Sequence, residues 1–154
     1  MSDRWPHMRS AGRALALAFA CLTPFAAEAS PLVATVDNPA VIGAAAAAGK
    51  HHEPGQSPRV IMSVTGFQPP QDGAVQVVVK AEKDDAGTEQ EIGRFGIFPN
   101  AEFKATDLSK AQRFGLPLPN ELASGGTVKL KVYLVPLRGD GKGARLDLGG
   151  AEIR

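Results

Sequence analysis

The chain has 154 residues, 17 Lys+Arg against 16 Asp+Glu, and a single cysteine. That length fits one domain and excludes a large multidomain enzyme. The near-balance of charge argues against a nucleic-acid binder, and one cysteine forms no internal disulfide.

Residues 1–29 read as a secretory signal peptide. Arg4, Arg9 and Arg13 make the start basic, Ala14 to Leu22 is an apolar run, and Ala27-Glu28-Ala29 offers small residues at the two positions a signal peptidase reads. The run is too short to span a bilayer, which needs about 20 residues, so no transmembrane segment is expected. Cleavage near Ala29 would deliver a periplasmic or secreted protein. A lipid-modified Cys21 is the less favoured alternative, because Ala18-Phe19-Ala20 matches the usual recognition sequence poorly. Removing 1–29 leaves equal numbers of basic and acidic residues and no cysteine, so the fold must rest on packing.

Residues 30–58 read as a flexible Ala/Pro/Gly-rich tail or linker. The run Ala44–Ala48 is too short to be a stable helix alone, and Pro and Gly bound it. Within it, Pro31 to Val36 offers a short strand, on this chain or on a partner. From Arg59 the pattern changes to period two. Strands are expected at Arg59–Thr65, Val75–Lys80, Ile92–Phe98, Val128–Leu134, and Ala144–Ile153 with a kink at Gly149-Gly150. Asp84 to Gly87 reads as a hairpin turn. Gly93 and Gly96 suggest a bulge or a close backbone approach. Asp107 is placed to cap a short helix, Arg113–Pro117 favours an extended end, and Pro119–Leu122 suits a single helical turn. Five or six short strands, each with one apolar face, predict an all-β fold: a mostly antiparallel β-sandwich or partly open barrel spanning 59–154.

In order, several segments carry a family resemblance. They are Val75-Gln-Val-Val-Val79, Arg94-Phe-Gly-Ile-Phe-Pro99, Arg113-Phe-Gly-Leu116 followed by Asn120-Glu-Leu122, and Val132-Tyr-Leu-Val-Pro-Leu-Arg138. A glycine-rich turn and Leu148-Gly-Gly-Ala-Glu-Ile153 complete the set. Together they resemble the C-terminal β-rich domain of tyrosinases and polyphenol oxidases. Gln76 stands where that family's early strand carries an aspartate. The resemblance implies a module that packs on a dicopper catalytic domain and covers its active-site entrance, often with a side chain inserted over the copper pair. The dicopper site of that family takes six histidines. This chain has His51 and His52 side by side, and His7 in the leader, so the resemblance implies the covering module without the enzyme. The implied partner is a separate tyrosinase-like copper oxidase, and no cofactor is expected except copper through that partner.

Phe95, Phe98 and Tyr133 are the aromatic candidates for partner contact. As large aromatics, Phe95 and Phe98 are expected in the core in the first instance, whereas Tyr133 falls on the solvated face of its strand. His51 and His52 are weak metal candidates, because adjacent residues in an extended segment point apart and a stable site needs three or four convergent ligands. Met62 alternates into the core. Asp84, Asp85, Glu89 and Glu91 lack calcium-loop spacing and read as a solvated hairpin. Gly139–Gly143 lacks phosphate-loop spacing, and no nucleophile motif surrounds a serine. Two other functions stay open: a structural or ligand-binding β-sandwich with no oxidase partner, and a weak periplasmic copper carrier using His51 and His52.

Overall fold

The computed structural model describes residues 32–46, 57–82, 87–123 and 127–154. The segment expected to be a signal peptide, His51 and His52, and the expected turn at Asp84–Gly87 apart from Gly87 lie outside the described residues. Among the described residues nine strands form: β1 (Leu32–Thr35), β2 (Ala40–Ala46), β3 (Arg59–Gln68), β4 (Ala74–Glu82), β5 (Glu89–Phe95), β6 (Phe103–Lys104), β7 (Gln112–Pro117), β8 (Thr127–Arg138) and β9 (Arg145–Ile153). The expected all-β class holds.

The hydrogen-bonded order is β5-β4-β8-β2-β9-β3-β6, with β1 also on β9 and β7 also on β3. One layer is β5-β4-β8-β2 and the other is built on β9 and β3. They join where Ala45 and Ala46 run parallel to Glu152 and Ile153, and every other pairing is antiparallel. Between β5 and β7 there is no ladder, so no backbone pairing closes the barrel on that side.

The alternation read from the sequence builds the core. Val60, Met62 and Val64 of β3, Val77 and Val79 of β4, and Val128, Leu130 and Val132 of β8 are all buried and pack together with Leu146 of β9. Burying each of these side chains contributes about 1.5–3 kcal/mol before the ordering entropy is charged. The Gly149-Gly150 kink is a bulge inside one continuous strand: Ser63 pairs with Gly150 and Val64 with Leu148, leaving Gly149 unpaired. Asp107 caps a 3-10 turn at Leu108–Lys110, accepting from the Ser109 backbone N–H at 2.9 Å. Residues Asn120–Ala123 form the single helical turn α1.

The linker boundary needs correction. Residues 32–46 are not a tail: β1 pairs with Leu146 and Leu148 of β9, and β2 pairs with Thr127–Val132 of β8. Ala34, Ala40, Ile42 and Ala44 belong to the core. The domain therefore begins at or before Leu32, not at Arg59. Alternation was present in β2, with Val41, Gly43 and Ala45 outside, but alanine and glycine give it almost no hydropathy contrast.

Candidate functional site

Each aromatic candidate takes a different position. Tyr133 lies on the outer face of β8, opposite Val78 of β4. It is half-buried, and its hydroxyl donates to the Glu89 carboxylate at 3.1 Å. The Lys80 ammonium sits 5.1 Å from its ring centroid. Both its polar tip and its ring face are engaged within the fold.

Glu89 organises this outer face. Lys131 Nζ donates to it at 2.6 Å and Lys80 Nζ at 3.4 Å. These donors come from β8 and β4, so one carboxylate at the start of β5 ties three strands together. The Lys131 hydrogen bond leads the set of interactions that hold its pKa at about 2, against an opposing desolvation cost. Reciprocally, Glu89 raises the Lys131 pKa. Desolvation, then the bond to Glu89, raises that of Tyr133. Glu82 lies beside it, with Lys129 and Lys131 ammonium groups both at 3.4 Å. Glu89 is therefore not part of a simply solvated hairpin. The sequence showed its charge but not the cross-strand neighbours that make it a hub.

Phe95 ends β5 and packs against the core, its ring stacked on Phe114 of β7 with centroids 3.9 Å apart and planes 14° from parallel. Phe98 does the opposite. It is 88% exposed, the most exposed large apolar side chain among the described residues, while its neighbour Ile97 is buried. The core expectation is overturned for Phe98. The loop 96–102 turns one side chain inward as an anchor and the next outward into solvent. Leu108, Val135 and Leu137 are further exposed apolar residues.

An open cleft of ≈ 570 Å³ lies between the loop after β1 and the β8–β9 turn, lined by residues including Asp37, Gln68, Asp140, Lys142 and Arg145. Several of its polar groups are already engaged in local structure. Thr35 Oγ1 accepts from the Asn38 N–H at 3.1 Å, Asp140 Oδ1 from the Lys142 N–H at 2.8 Å, and Arg145 Nε donates to Asp147 at 2.8 Å. Among the described residues no group of three or more His, Cys, Asp or Glu side chains is placed to hold a metal ion, and no helix is long and apolar enough to cross a membrane. Met62 is fully buried in the core, as expected.

Of the three aromatic candidates, Phe98 alone stands almost wholly in solvent, while Phe95 and Tyr133 are partly buried. No protein-family model, no curated protein and no solved structure matches this chain.

Proposed function

We propose that this chain is an exported, non-catalytic accessory protein that packs on a separate tyrosinase-like dicopper oxidase and shields its copper site or assists its maturation. The observation that carries this reading is Phe98. A large aromatic side chain left almost wholly in water forgoes the stabilisation that burial would bring. Burial in a partner would recover it, and aromatic anchors of this kind dominate the energetics of interfaces. Phe98 lies within Arg94-Phe-Gly-Ile-Phe-Pro99, one of the segments that carries the family resemblance. A single ring projecting from a loop of the β-domain suits insertion into a deep, narrow opening such as the mouth of a copper site. Export through the leader would let this chain meet an oxidase that is itself exported.

The test is co-expression of the full chain with a tyrosinase-like oxidase that has its six copper-ligating histidines but no covering domain of its own. The expected result is co-purification, with phenol oxidation altered in the complex and the copper content of the oxidase recorded alongside. Absence of association, with unchanged activity and copper content, would rule the reading out.

A further inference from the structure

The barrel is held shut along one line by side chains alone. β5 pairs with β4 over Val77–Glu82, and β7 pairs with β3 over Arg59–Val64, but β5 and β7 share no ladder. Across this seam the Phe95 and Phe114 rings stack, and Leu116 fits against Gly93. A Cβ on Gly93 would lie 2.9 Å from Leu116 Cδ2, so the two strands approach closely here and a side chain at 93 would displace the Leu116 methyl. At the other end the seam widens into a cleft lined by Glu91, Ile92, Pro117, Leu118 and Asn120 among others. A ladder of several backbone hydrogen bonds contributes about 1 kcal/mol net per bond. One stacked ring pair adds about 0.5–1.5 kcal/mol beyond its buried area. The seam thus lacks the backbone ladder that joins the other neighbouring strands, and local opening follows lines with few backbone hydrogen bonds. Phe98 stands three residues beyond Phe95, on the loop that leaves the seam.

We infer that the barrel opens along the β5/β7 seam, that the Phe95–Phe114 stack is its clasp, and that opening repositions the loop presenting Phe98. The opening is a property of this chain alone. Only its consequence for docking rests on the oxidase reading, so the two fail separately.

Thiol labelling tests it in the full chain carrying Cys21→Ser. Leu116→Cys places a buried thiol at the seam, and Leu130→Cys places one in β8, away from it; the parent leucines are 5% and 0% exposed. With a bulky thiol reagent under native conditions, the thiol at 116 is expected to react at least tenfold faster than that at 130. Adding Phe114→Ala should widen that ratio at least a further tenfold. Equal rates, or a common acceleration of both, would show that only global unfolding exposes the seam and would overturn the inference. Should Leu116→Cys not fold, Leu118→Cys takes its place, since Leu118 is 2% exposed and lines the wide end.

The effect on the loop has its own readout. In Gly93→Cys/Leu116→Cys the two Cβ positions are 4.0 Å apart, within the disulfide range of about 3.5–4.5 Å. Oxidation should shift the amide resonances of residues 96–98 and 100–102, and reduction should restore them. Unchanged resonances would show that the seam does not control the Phe98 loop.

Discussion

Glu89 accepts hydrogen bonds from Lys131, Tyr133 and Lys80, and this sets a pH dependence with a definite sign. Its folded pKa of about 2 lies below the ordinary value of 4.5. The stabilisation is therefore complete above about pH 4.5 and is lost as the pH falls from there towards 2. Glu89→Gln should be less stable than the parent at pH 7, and the two should converge near pH 2. Denaturant midpoints measured across that range check this, and a constant difference down to pH 2 would contradict it. Lys131 and Tyr133, both raised, place a second loss of stability at alkaline pH, above about 10. At Gly73 the backbone decides the outcome. Its φ is +81°, and a Cβ would stand 1.9 Å from the Arg138 carbonyl oxygen. Gly73→Ala should cost more than about 2 kcal/mol, because left-handed strain and a backbone clash combine. Gly96→Ala, with open space around the position, should stay within about 0.5 kcal/mol. Thermal unfolding of the two variants distinguishes these outcomes.

At the scale of elements, β3, β4 and β8 were legible because valine, leucine and methionine alternate there with polar or exposed positions. β9 was legible as one strand with a kink, and its bulge at Gly149 is that kink. β1 was offered as a strand inside a linker and β2 was missed, and both were left outside the domain for a physical reason. Their buried positions are largely alanine, so the apolar period carries little signal, and Pro39 and the alanine run suggested a break. β7 was read only as an extended end because its apolar residues, Phe114 and Leu116, are separated by glycine and followed by proline. The consequence of β2 is testable. A chain beginning at Arg59 would uncover the β8 edge from Thr127 to Val132 and remove Ala34, Ala40, Ile42 and Ala44 from the core. It should lose cooperative unfolding and amide dispersion in the proton spectrum. A dispersed, folded spectrum from that truncated chain would return 30–58 to the status of a linker.

For the molecule as a whole, the site was only partly visible in the sequence. Tyr133 was correctly expected on the solvated face, but its hydroxyl and ring are occupied by Glu89 and Lys80. Phe98 was available as a candidate, yet general hydrophobicity favoured burying it. Only the fold separates it from Ile97, one residue away, because the choice depends on how the loop leaves β5 and not on composition. The arrangement places a free aromatic ring beside a clasped seam, on a domain whose other large aromatics pack at least partly against the core or are held in polar contacts. The central claim is that this ring anchors the chain to a dicopper oxidase. Calorimetric titration of such an oxidase with the parent protein and with Phe98→Ala tests it most directly. The expected result is binding by the parent, at least tenfold weaker binding by the variant, and unfolding free energies that agree within about 0.5 kcal/mol. Equal affinities for the two proteins, or no binding by the parent, would contradict the claim.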